Sequence, residues 1–122
     1  MTPSLLFVII LLVHWLADFI LQTHLQASNK SKNLIALLSH TFNYSIVWSI
    51  VILFVILPNL FDLFLFFLIT FITHTLIDYF TSKQTAKLYA IQDYHNFFVI
   101  IGLDQILHYL QLWFTFQLLF GV

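Results

Sequence analysis

Cysteine, arginine and glutamate are absent from the 122 residues, and glycine and proline occur only twice each. Without cysteine there are no disulfides and no thiolate ligands, so any metal must be held by nitrogen and oxygen. Without arginine, and with only four lysines, there is no basic footprint for nucleic acid, and a formal charge of −1 steers no partner strongly in either direction. Nucleic acid is therefore not an expected partner. The two glycines, Gly102 and Gly121, form no GxxxG pattern that would let helices approach closely. A homo-oligomer is compatible with the sequence, but oligomeric state is left open by it.

What the chain does contain is apolar surface. It is 61% hydrophobic and 7% charged, with 15 phenylalanines. A small soluble domain leaves much of its surface wet and could not hide this much hydrocarbon. The composition defines an all-α integral membrane protein, and the chain reads as a single helical domain over residues 1–122. Four spans are expected at about residues 5–21, 34–57, 60–80 and 97–120. Roughly 20 residues rising 1.5 Å each cross a hydrocarbon layer of about 30 Å, so these lengths suffice or nearly so for a four-transmembrane-helix bundle. Pro58 and Asn59 fit a tight turn, while Thr23–Asn33 and Thr81–Asn96 read as polar connections. No lysine precedes Lys30, and the first apolar run ends in Trp15–Gln22, where Ala17 is the one small residue. The first segment is accordingly expected to be a retained span and not a secretory leader.

Lys30, Lys32, Lys83 and Lys87 all fall in the first and third connections, on one side of a four-span bundle. Under the positive-inside rule that side is cytoplasmic, both termini lie outside, and the expected location is the cell inner membrane.

Within the apolar spans sit three histidine–aspartate pairs, each four residues apart: His14 with Asp18, His74 with Asp78, and Asp104 with His108. Residues at i and i+4 share a helix face about 5–6 Å apart, so both side chains can reach one ion or one proton path. Counting turns from the lysine side places His14, His40, His74, Asp104 and His108 in one layer, with His14 roughly 10 Å below the surface and Asp18 and Asp78 one turn nearer to it. A single such pair is more often a structural hydrogen bond between helices. Three pairs with His40 at one depth are harder to explain structurally, because Ser, Thr or Asn would serve at lower desolvation cost.

Imidazole and carboxylate together suit zinc first, with manganese and iron as alternatives. The expected ligands are His14, Asp18, His74, Asp78, Asp104 and His108, with His40 a ligand or an acid/base group beside Asp18. Gln22, Gln105 and Lys30 are the expected substrate contacts. His24, His95 and Asp93 read as wet loop residues, Asp62 as a headgroup contact, and the three Trp and many Phe as packing or lipid-facing groups.

The ordered segments His14-Trp15-Leu16-Ala17-Asp18-Phe19-Ile20-Leu21-Gln22, Asn29-Lys30-Ser31-Lys32, Leu38-Ser39-His40, His74-Thr75-Leu76-Ile77-Asp78 and Asp104-Gln105-Ile106-Leu107-His108 resemble the bacterial and phage membrane proteins grouped as domain of unknown function 3307. The resemblance covers nearly the whole chain. That family usually has Gly before the first Asp, where Ala17 stands here, a small-for-small change. It looks like other small membrane families described as metal-dependent hydrolases, an analogy of His/Asp patterning alone.

Three functions remain open from the residues. One is a metal-dependent hydrolase acting on a lipid or lipid-linked phosphate, in which a metal activates water and an unliganded Asp or His takes the proton. Another is a small proton or metal-ion channel or transporter. The third is a non-catalytic assembly or regulatory subunit whose polar cluster fixes helix register. The outer halves of the spans offer no second ionisable layer, which favours a pocket open to one side over a through-path.

Overall fold

The computed structural model describes all residues, 1–122. Five α-helices are present and no strand: α1 (Pro3–Trp15), α2 (His24–Asn29), α3 (Leu34–Val55), α4 (Leu60–Ala90) and α5 (Tyr94–Phe120), with a π-helical turn, Leu16–Ile20, continuing α1. Four helical segments are long and apolar enough to cross a membrane: α1 with its π turn, α3, α4 and α5. The short α2 lies within the first connection.

Each helix begins where a short polar side chain satisfies free amides. Thr2 Oγ1 accepts from Leu5 N ahead of Pro3, and Thr23 and Gln26 form a reciprocal capping box around the start of α2. Asn33, Asn59 and Asp93 cap α3, α4 and α5, accepting from Ile35, Asp62 and Asn96 backbone amides at 2.8, 2.9 and 3.2 Å. Hydrogen bonds from Asn96 hold the Asp93 carboxyl below the usual carboxylate range. Asp93 is thus a helix cap and not merely a wet loop residue. Gly121, at φ +64°, ends α5 in the left-handed conformation that glycine adopts without steric cost.

Three boundaries differ from those read in the sequence. The second helix ends at Val55, and Leu57 takes a left-handed φ of 54° immediately before Pro58. The third helix does not stop near residue 80 but runs to Ala90, so most of the expected polar connection is helical. Hydropathy marks where the membrane ends, whereas Gln84, Ala86, Lys87 and Leu88 are good helix formers that carry the helix onward into water. The fourth helix starts at Tyr94, because Asp93 caps it there.

The interior is divided into two halves along the bundle axis. Away from the lysines it is an aromatic plug: Trp48, Phe66 and Phe116 are fully or almost fully buried, with ring centroids of Trp48–Phe116 and Phe66–Phe116 5.8 and 5.4 Å apart. Leu6, Ile10, Ile52 and Leu112 fill the space around it. Toward the lysines the buried side chains are instead histidines, aspartates and threonines, with Thr41 of α3 hydrogen-bonded to Thr75 of α4 at 2.8 Å. Most of the remaining apolar side chains, such as Ile35, Phe54 and Leu118, point outward, as lipid contact requires.

Trp48→Ala removes the centre of the plug and should cost about 3–5 kcal/mol. Leu60→Ala, at an 82% exposed position, should leave stability within about 0.5 kcal/mol of the parent. Unfolding titrations in mixed micelles distinguish the two.

Candidate functional site

The π turn is the local feature that the first span's sequence did not disclose. Its wider winding closes an i→i+5 bond, Leu21 N to Leu16 O at 2.9 Å, and buries Ala17 and Asp18 against the bundle. Single π turns inside α-helices often occur at functional sites. Gln22 donates from Nε2 to the Asp18 carbonyl at 3.1 Å, giving that oxygen a partner at the end of the span.

Asp18 and Asp78 face one another in the polar half, and the histidines of four helices converge on them. His40 Nε2 lies 2.9 Å from Asp18 Oδ1 and 3.4 Å from Asp78 Oδ2. His74 Nε2 is 3.5 Å from Asp18 Oδ1 and 3.6 Å from Asp78 Oδ2. His108 Nε2 is 3.1 Å from Asp78 Oδ1 and 3.5 Å from Asp104 Oδ2. The His74 ring stacks on His108 with centroids 4.0 Å apart, and Tyr44 covers its other face at 3.9 Å. Neither nitrogen of His74 has a hydrogen-bond partner, and His108 Nδ1 has none.

Two groups of ligand atoms emerge, each drawn together within 4.8 Å: Asp18, His40, His74 and Asp78, and Asp18, Asp104 and His108. Asp18 belongs to both. Ligands of one tetrahedral ion bound at about 2.0–2.1 Å lie about 3.3 Å from one another. The observed His–Asp separations of 2.9 to 3.6 Å bracket that value. The orphaned His74 nitrogens, the absence of sulfur and the nitrogen/oxygen donor set therefore fit a divalent ion.

Charge balance also calls for added positive charge. Asp18, Asp78 and Asp104 are opposed by a single fixed cation, Lys30, whose Nζ sits 2.9 Å from Asp78 Oδ2. With neutral imidazoles, two negative charges remain uncompensated in a region where an unpaired charge costs several kcal/mol. One divalent ion, or two protonated histidines, restores neutrality. Burial works against the Lys30 charge, but the carboxylates of Asp78 and Asp18 outweigh it and hold the ammonium above its ordinary range.

His14 has a different environment from the other histidines. Gln105 donates from Nε2 to Asp104 Oδ2 at 2.9 Å, which turns its Oε1 toward His14 Nε2 at 2.8 Å. His14 Nε2 must then donate, leaving Nδ1 to accept from the Tyr44 hydroxyl at 2.7 Å. Spacing alone groups His14 with the ligands; in the structure both its nitrogens are occupied, although Nε2 remains 3.5 Å from Asp18 Oδ2. Lys30, expected as a topology anchor or substrate contact, reaches the cluster itself. Gln22, Gln105 and Lys30 all line one cavity of about 180 Å³ with Asp18, Asp104 and Phe19. The Gln22 Oε1 atom is buried without a partner.

Two contributors escaped the His/Asp pattern. Tyr44 lies one turn after His40 on the same face of α3, and Thr81 lies three residues after Asp78, donating to Asp104 Oδ1 at 2.5 Å. Extending i+3 and i+4 steps from each ionisable residue would have found both.

The polar half is covered from the lysine side by α2 and the turn after it. Gln26 Nε2 donates to Ser39 Oγ at 2.9 Å, Lys30 bonds Asp78, and Lys83 of α4 donates to Ser31 O at 3.2 Å. These ties put the first connection and the extended end of α4 at the same end of the bundle.

Fold and site together define a small four-span membrane protein with a buried histidine–aspartate centre near one end. The chain belongs to the family described as Protein of unknown function (DUF3307), whose model matches residues 6–121. No curated protein and no solved structure matches it.

In chelator-treated protein, the double-mutant cycle of Lys30→Met and Asp78→Asn should give a coupling on the order of 0.5–3 kcal/mol by unfolding titration. Because the folded Lys30 value is raised, this coupling should be fully present at neutral pH and decline only as pH rises above the ordinary value of 10.5. A coupling near zero at neutral pH would contradict the pairing.

Proposed function

We propose that the histidine–aspartate layer is a divalent-metal centre of a membrane-embedded hydrolase acting on a lipid or lipid-linked phosphate ester. The observation that carries this reading is the pair of ligand groups sharing Asp18, one of which contains a histidine with no other partner for either nitrogen. Asp18, His40, His74 and Asp78 would hold one ion, zinc first and manganese or iron as alternatives, and Asp18, Asp104 and His108 a second. A bound metal polarises a phosphoryl oxygen and lowers the pKa of water.

The chain's own groups supply the rest of the chemistry. With one ion held by the first group, Asp104 carries no metal and lines the cavity, so its carboxylate is positioned to take a proton from water, with Thr81 and Gln105 donating to it and fixing its orientation. The water oxygen bonds to phosphorus, the ester P–O bond breaks, and the proton held at Asp104 passes to the departing oxygen. Lys30, Gln22 and Gln105 line the cavity where phosphoryl oxygens would lie. His14, fixed between Tyr44 and Gln105, keeps the Gln105 amide oriented.

Charge supports an anionic substrate. One ion neutralises the centre, and a second leaves an excess of positive charge that a phosphate dianion would balance. A transport path finds less support, since the Trp48–Phe66–Phe116 plug fills the bundle beyond the polar half. By the lysine distribution the site lies toward the cytoplasmic side of the inner membrane, with both termini outside.

Purified protein in mixed micelles should release product from lipid phosphate esters. Chelation should abolish turnover and zinc or manganese restore it, and Asp18→Asn and His74→Ala should each lower kcat by about 100-fold or more. Hydrolysis that survives complete chelation would overturn the metal mechanism. Terminal fusions of a reporter active only outside the cytoplasm should be active at both ends; activity of the same reporter inserted after Lys32, with silent termini, would reverse the orientation.

A further inference from the structure

The site cavity has an apolar neighbour in the structure. On α5, Ile101, Gln105, Tyr109 and Trp113 recur every four residues, so they lie along one face of the helix, and all four are half-buried. The stripe faces the seam between α5 and α1 with its π turn. Its first two members line the site cavity, together with Phe19 of the π turn. Its last two line a separate, wholly apolar groove of about 310 Å³ with Phe7, Ile10 and Leu110. Cavity and groove are thus neighbours on one seam, separated by the single helical turn from Gln105 to Tyr109.

Tyr109 also ties the groove to the chemistry. Its ring meets His14 edge-on with centroids 5.0 Å apart, and Ile10 precedes His14 by one turn of α1. Two other lipid-facing seams carry grooves, between α4 and α5 at Thr73 and Phe114 and between α3 and α4 at Phe42 and Phe71. None of their lining residues is in ring contact with a histidine of the cluster. From Gln105 to Trp113 the stripe rises about 12 Å, long enough to take part of an extended alkyl chain from the polar layer toward the bilayer centre.

We infer that the α1–α5 groove seats the hydrocarbon chain of a lipid phosphate, which reaches the site sideways through this seam with its phosphate beside Gln105 and Asp18. The inference rests on the proposed lipid-phosphate activity for the identity of the headgroup. The groove residues Phe7, Leu110 and Trp113 are then determinants of chain recognition. Tyr109 separates the apolar groove from the ionisable layer, so that the chain stops where the phosphate begins.

The test uses the full-length protein in mixed micelles with hexadecyl phosphate carrying a mid-chain diazirine, with adducts located by mass spectrometry. Adducts are expected at Phe7, Leu110 and Trp113, falling at least about tenfold with excess unlabelled hexadecyl phosphate, whereas adducts at Phe42 and Phe71 should not be competed. Tenfold corresponds to the transfer of only about two methylenes, a modest demand on a groove of this size. Leu110→Trp, at a 48% exposed position, should fill the groove, leave the unfolding transition in place and remove the competable adducts. Phe114→Trp in the α4–α5 groove should leave them unchanged. Even labelling of every lipid-facing seam without competition would overturn the assignment, as would an interchain disulfide formed by Leu110→Cys, which would give the groove to a second copy of the chain. Competable groove labelling without any hydrolysis would uphold the groove and sink the proposed activity instead.

Discussion

Two carboxylates, Asp18 and Asp78, lie almost completely buried in a bundle that faces lipid, and the architecture of the polar half follows from what they require. An ion transferred from water into such an interior loses several kcal/mol of solvation unless charge and hydrogen bonds are returned to it. Three helices, α3, α4 and α5, each deliver imidazole to that demand, and Lys30 is brought in from a connection to supply the one fixed positive charge. Purely structural register could be set more cheaply by the threonine pair Thr41–Thr75 that already links α3 and α4. The excess of negative charge over Lys30 is what a bound divalent ion, or two protonated histidines, would balance.

The bundle separates that site from the far side of the membrane by packing alone. Trp48, Phe66 and Phe116 interlock where a through-path would have to run, while α2 and the lysine-bearing turns close over the near side. The α1–α5 seam is packed more lightly than α4–α5 and α3–α4, and the proposed lateral access would lie there. The π turn belongs to this same seam. By widening the helix at Asp18 it presents one carboxylate to both ligand groups and to the cavity, a placement with a local cost that the bonds from His40 and Gln22 offset.

Much of this was legible from residue order. Hydropathy gives four helices, the i+4 pairs give the shared faces, and alternating chain direction brings His40 into the layer with them. Hydropathy could not reveal that α4 continues to Ala90, since a helix leaving the membrane keeps its hydrogen bonds and only changes its solvent. Nor does any residue between Leu16 and Ile20 announce a π turn, because what holds it is the bond from His40 on another helix to the buried Asp18 and not local propensity. The separation of His14 from the other imidazoles was hidden for a related reason: it depends on the amide of Gln105 on another helix, oriented by the adjacent Asp104. Spacing specifies which side chains share a face, and tertiary hydrogen bonds decide what each one is free to bind.

Elemental analysis of the protein purified in mild detergent at neutral pH, without exposure to chelator, tests the central claim most directly. A metal centre predicts at least one zinc, manganese or iron per chain, lost when Asp18, the carboxylate common to both ligand groups, is replaced by Asn while the helical content is kept. Folded protein carrying no stoichiometric metal would contradict the account and leave the histidine–aspartate layer as a polar core neutralised by protons.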